Sequence, residues 1–243
     1  MSLVPSLTET LFDLGAGGDV IAITDYCIFP PNLDRPRVGG TKTPRVEEIR
    51  ALAPDLVYMN LEENLKKHAD AIESFAPVFV TEPKSVDDVA ALIATLGEIH
   101  GRDASALLRE LDAARFTTEP FTFAVPIWKS PWMWCGGDTY VSALVESVGG
   151  RNVLHDRERY PSLGVEDVLA LQPDVVFLPD EPYAFTPDDA LALRGPRVVG
   201  PFPGHLFTWH GTRTILGLRF LHDQMSPAST TAATKRSTSA GRT

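Results

Sequence analysis

The sequence VEEIRALAPDLVY at residues 46–58 returns 119 positions later as VEDVLALQPDVVF at 165–177. In both copies apolar residues fall at helical spacing (Val46, Ile49, Leu52; Val165, Val168, Leu171), a proline stops the helix (Pro54, Pro173), and a short apolar run follows (Leu56-Val57-Tyr58; Val175-Val176-Phe177). Helix, tight turn and buried strand in that order make up the unit of a parallel sheet covered by helices. The same offset carries Pro77-Val78-Phe79-Val80 onto Pro196-Arg197-Val198-Val199. A chain that repeats this unit is expected to fold as two α/β lobes, each doubly wound and Rossmann-like.

The 243 residues suffice for two cores of roughly 100–120 residues each. The expected division is an N-terminal lobe over 1–97, a connecting helix over 98–118, a C-terminal lobe over 119–225 and a tail over 226–243. Each lobe has an opening helix that ends in glycine, LTETLFDLGAGG and TYVSALVESVGG, with Thr8 or Ser6 as the cap of the first. VIAIT (20–24) and FTFAV (121–125) read as strands. VDDVAALIATLGEIHG and RDASALLRELDAARF are both helical by pattern, and together read as one long connector. From Ser226 the chain is rich in Ser, Thr and Ala without apolar periodicity, and is expected to be disordered.

A balance of 22 basic against 32 acidic residues, formally −10, repels phosphate backbones and excludes nucleic acid as a partner. Cys27 and Cys135 lie one in each half without CxxC spacing, which gives neither a disulfide framework nor a zinc site. The opening MSLVPSLTETLFDLG has no basic n-region, apolar h-region or cleavage site, so as written the chain reads as cytoplasmic. Ser2-Leu3-Val4 reads as the end of a buried strand, however, and on that reading a start upstream is the expectation.

The six histidines show no ligand spacing and no metal site is expected, although His205 and His210 flank Trp209 as a local pair. There is no GxSxG, HExxH or Walker loop, and Gly39-Gly40-Thr41-Lys42 lacks phosphate-wrapping spacing; no catalytic residue and no cofactor are assigned. The aromatic residues carry more information. All four tryptophans fall in the second half: Trp128, Trp132 and Trp134 in one run, and Trp209 beside Phe207 and His210. Tyr26 and Phe29 follow the first lobe's strand in TDYCIFPP. Aromatic side chains beside Pro and Gly after strands suit a broad, flat, apolar ligand; the alternative is that they plug the lobe cores.

The words SLVPSLTETLFDLG, TDYCIFPP, PRVGGTKTPRVEEIRALAPDLV, WKSPWMWCGGDTYVSALVESVGGRNVL and GVEDVLALQPDVVFLPDEPY span nearly the whole body. In these the chain resembles the helical-backbone (class III) substrate-binding proteins of ABC importers, the group with vitamin B12 and ferric-siderophore receptors. The resemblance implies two α/β lobes bridged by a long helix, with the ligand in the cleft between them. It implies ligand contacts from Tyr26, Phe29, Trp128, Trp132 and Trp209, and docking of Glu47 and Glu166 on arginines of a permease dimer. The ligand implied is a metal chelate, whether corrinoid, siderophore or haem, with His205 or His210 available to the last. Lys42, Lys129 and Arg213 are the cations that could offset an anionic chelate. The family's location is periplasmic or cell-surface. Two departures are Thr41, where one receptor pattern has tryptophan, and a connector from Arg102 to Arg115 shorter than the family's bridging helix. The competing readings are a cytosolic chelate-binding relative, in which the two glutamates only cap helices, and a doubly wound transferase, for which base and phosphate site are missing.

Overall fold

The computed structural model describes residues 1–226; apart from Ser226, the expected tail lies outside the described residues. The chain divides into two compact units, one of Met1–Ala113 with Trp209–Thr214, the other of Ala114–Thr208 with the chain from Ile215. Both are α/β and are built on parallel strands.

The first unit holds α1 (Pro5–Asp13), α2 (Val46–Ala51), β1 (Val57–Asn60), α3 (Lys66–Glu73), β2 (Val78–Thr81), α4 (Val86–His100) and most of α5 (Ser105–Ala114). β1 pairs in parallel with β2, from Val57 opposite Val78 to Asn60 opposite Thr81. On its other side β1 meets Ser2, whose N–H donates to the Ala22 carbonyl. All four residues of β1 are buried, as a strand covered on both faces requires. Leu3, Val57 and Met59 from these segments pack with Ile49 of α2 and Ile72 of α3 into one core.

Three local expectations are corrected here. Residues 20–24 form an extended segment held by a single parallel bridge, Ile23 to Arg37, not a full strand; Pro36 beside that bridge offers a carbonyl but no N–H to extend a ladder. Ser6 and Thr8 do not cap α1. Pro5 opens the helix, where its missing N–H costs nothing, Val4 is the N-cap, and Thr8 Oγ1 donates back to the Val4 carbonyl at 3.0 Å. The connector is two helices rather than one. α4 stops at Gly101, which takes the left-handed conformation (φ 59°) while the Arg102 N–H closes on the Gly97 carbonyl at 2.8 Å, and α5 restarts at Ser105.

The second unit contains β3 (Phe121–Ala124), β4 (Pro126–Trp128), β5 (Met133–Trp134), α6 (Tyr140–Glu146), β6 (Gly150–Asn152), α7 (Val165–Leu169), β7 (Val175–Pro179), α8 (Pro187–Ala190), β8 (Arg197–Phe202), α9 (His205–Thr208) and most of α10 (Arg213–Met225). Its main sheet runs β6-β3-β7-β8, every pair parallel. β4 and β5 form a small antiparallel pair beyond the carboxyl end of β3. Ala124, Trp134, Val168, Val176, Leu178 and Phe185 form a core cluster on this sheet.

The repeat is structural. α2–β1–β2 and α7–β7–β8 follow each other at the sequence offset, and the turn between helix and strand uses a left-handed residue in each copy, Ala53 (φ 43°) and Gln172 (φ 56°). In the second copy the Asp of the repeated Pro-Asp pair ties the turn to the neighbouring strand: Asp174 Oδ2 accepts from the Thr122 N–H at 2.7 Å and from Thr122 Oγ1 at 2.8 Å. These bonds hold the Asp174 carboxyl below the usual aspartate range.

Candidate functional site

In open parallel α/β sheets, ligand-bearing loops follow the carboxyl ends of strands. Phe29 lies in such a loop, five residues after Thr24. Trp209 follows α9, yet Trp209–Thr214 fold onto the first unit. A run of contacts with α1 holds them there. The Thr212 N–H donates to Thr10 Oγ1 at 3.1 Å, and Thr212 Oγ1 donates to Asp13 Oδ2 at 2.5 Å. Gly211 has φ 84°, and a Cβ there would sit 2.1 Å from Thr10 Oγ1, so both conformation and space demand glycine.

This strap brings Trp209 edge-on to Phe29, with ring centroids 5.9 Å apart. Behind them, Arg213 lays its guanidinium over the Phe29 ring at 4.0 Å and lies 5.8 Å from the Trp209 ring. Arg213 makes a two-pronged pair with Glu9, Nε donating to Oε2 at 2.8 Å and Nη2 to Oε1. Both side chains are largely buried, 6% and 12% exposed. Burial pushes the Glu9 carboxyl above the usual range; the Arg213 bonds and charge pull it back down, and Asp13 adds to the rise. Tyr26, 62% exposed, has its ring edge against Gly40.

In the second unit, Trp128 and Trp132 follow the carboxyl end of β3. Trp128 is 42% exposed and meets Tyr183 edge-on at 5.3 Å. Trp132 is half-buried and lies nearly parallel to Trp134 (5.7 Å, 20°) and to Phe185 (5.5 Å, 21°), against the core cluster. Trp134 is fully buried, with Nε1 donating to the Leu163 carbonyl at 3.0 Å. Thus Phe29 and Trp209 come together, while Trp128 and Trp132 join different neighbours.

The three cations noted in the sequence are all engaged. Lys42 Nζ donates to the Glu62 carbonyl, Lys129 pairs with Asp189, and Arg213 pairs with Glu9. His205 opens α9 half-buried and His210 is buried. Among the described residues, no group of three or more His, Cys, Asp or Glu is placed to hold a metal. Cys27 and Cys135 are buried and form no disulfide, with Cys27 Sγ 3.1 Å from Thr8 Oγ1. No helix among the described residues is long and apolar enough to cross a membrane.

Glu47 and Glu166 occupy equivalent places in the first turns of α2 and α7. The side chain of Glu47 is 84% exposed, with Arg50 Nε at 3.5 Å; Glu166 is exposed. In α7 the terminus is closed by the next residue, Asp167, whose Oδ2 accepts from the Gly164 N–H at 3.2 Å. Capping therefore falls to Asp167 and leaves Glu166 for solvent.

Residues 1–114 match the model of a family described as periplasmic binding protein. A vitamin B12-binding protein of Vibrio cholerae serotype O1 is 25% identical over 189 residues, which cover 73% of this chain and 68% of that protein. The chain is thus similar to periplasmic substrate-binding proteins. An ABC transporter substrate-binding lipoprotein of Bacillus subtilis is 25% identical across 93% of this chain and 79% of its own length. The fold agrees. The crystal structure of the periplasmic vitamin B12-binding protein BtuF of Vibrio cholerae superposes with a TM-score of 0.74 at 22% identity, covering 90% of this chain and 93% of that one. The periplasmic haem-binding protein BhuT, in complex with two haems, gives 0.77 at 24% identity over 94% and 97%. The matched family is one of binding proteins, not of enzymes.

Sequence reasoning missed Glu9 and Tyr183. Glu9 had a weak signal, an acid amid the buried polar residues Ser6, Thr8 and Thr10 of one helix. Nothing in the sequence joins it to Arg213, 204 positions away.

Proposed function

We propose that this protein binds a metal-chelate nutrient with a broad apolar face, a corrinoid or an iron chelate such as a siderophore or haem, and delivers it to an ABC importer from the periplasm or cell surface. The observation that carries the reading is the Phe29–Trp209 pair, built from opposite ends of the chain in a loop position that suits a ligand. Flat apolar faces pack well against such rings. Tyr26, exposed in the same loop as Phe29, is the further aromatic contact on this unit. Relatives that bind vitamin B12 and haem, and a relative named as a lipoprotein of an ABC transporter, support both the ligand class and the location.

Delivery rests on Glu47 and Glu166, one on each unit, meeting basic residues on the two halves of a permease dimer. Exposed charges of this kind govern recognition and encounter more than fold stability. The test is chelate uptake by cells carrying the cognate importer. Glu47→Lys with Glu166→Lys is expected to abolish uptake while chelate affinity stays within about twofold of wild type. Undiminished uptake by the double variant overturns the docking assignment.

A further inference from the structure

Arg213 stands directly behind the aromatic pair, where a cation would attract an anionic ligand. Its charge is spent on Glu9. The two-pronged Arg213–Glu9 bond is buried, and buried ion pairs contribute little stability over apolar residues of similar volume, so packing alone gives no reason for one here. Asp13, held by the Thr212 hydroxyl, adds a second carboxylate to the same group. Arg213 against Glu9 and Asp13 leaves the rear of the platform with one net negative charge. Lys42 and Lys129 are likewise engaged, by a backbone carbonyl and by Asp189.

We propose that Glu9 is a specificity-determining residue: by cancelling Arg213 behind Phe29 and Trp209, it makes the aromatic platform favour chelates without anionic edge groups and reject those with carboxylates. The inference rests on the ligand-binding reading above and narrows it. Glu9 acts through Arg213 and need not touch the ligand.

The test uses two matched ligand pairs that differ only in charge: iron protoporphyrin IX with its dimethyl ester, and dicyanocobyrinic acid with its heptamethyl ester. Wild type, Glu9→Gln, Arg213→Gln and the double variant are titrated by fluorescence, with circular dichroism to confirm folding. Wild type is expected to prefer the ester of whichever pair it binds. Glu9→Gln should raise affinity for the free acid about tenfold with the ester nearly unchanged, because it takes one negative charge away from the group behind the rings at partly buried range. Arg213→Gln should shift the ratio the other way. The double variant restores the charge balance and should return the ratio to that of wild type, a recovery that structural damage would not produce. If Glu9→Gln fails to fold, Arg213→Gln and the double variant decide. An acid-to-ester ratio that does not follow the charge overturns the specificity role alone. If wild type binds neither pair, nor cobalamin, but binds a ferric siderophore, this inference alone falls; if it binds none of these, the ligand-binding reading falls, and this inference with it.

Discussion

His210 keeps a neutral imidazole, because burial lowers its pKa from 6.5 to about 4. The unfolded chain takes up a proton there below about pH 6.5 and the folded chain does so only near pH 4. Stability from this residue is therefore fully present above pH 6.5 and is lost as pH falls to 4, by about 3 kcal/mol. Urea midpoints at pH 7 and at pH 4.5 should differ markedly less for His210→Gln than for wild type; an equal difference would contradict the assignment. Other residue-scale features join distant positions. Tyr58 Oη and Asp19 Oδ2 each lie 2.8 Å from a ring nitrogen of His100, so that one imidazole links a buried phenol to a surface carboxylate. Burial pushes the Tyr58 phenol up to about 12, so it stays protonated. Contacts of this kind, like Glu9 with Arg213, depend on which segments the fold brings together, and nothing local in the sequence encodes them.

At the scale of elements the repeat was legible because both copies obey local rules: helical spacing, a proline stop, then an apolar run. α2, β1, α7 and β7 stand where those rules put them. The rules failed where a neighbour decided the outcome, as with residues 20–24, whose ladder ends beside Pro36, and with α1, whose start is set by Pro5 instead of a hydroxyl cap. The left-handed turn residues were not legible, since neither Ala53 nor Gln172 is a usual choice for positive φ. A non-glycine residue there carries a cost of roughly 1–2 kcal/mol that glycine relieves, against a smaller entropic penalty in the unfolded chain. Ala53→Gly and Gln172→Gly should each stabilise the protein by up to about 1 kcal/mol in urea denaturation. Destabilisation by both would show that these turns carry no such strain.

For the whole molecule, two α/β units on parallel strands follow from the repeated word, and the likeness to solved binding proteins across nine-tenths of the chain agrees with it. What the sequence could not convey is that Trp209–Thr214 leave the second unit's stretch of chain and fold onto the first. Thr212, Gly211 and Arg213 achieve this through contacts with Thr10, Asp13 and Glu9, residues far away in sequence. The pairing of Phe29 with Trp209 depends on that return, and the proposed ligand site depends on the pairing. The most direct measurement is an equilibrium titration of the purified protein with cobalamin, cobinamide, haem and two ferric siderophores, followed by tryptophan fluorescence and calorimetry. Saturable binding of one chelate class, weakened at least tenfold in both Trp209→Ala and Phe29→Ala, is the predicted result. A folded protein that binds none of them, or one whose binding ignores both substitutions, would contradict the account.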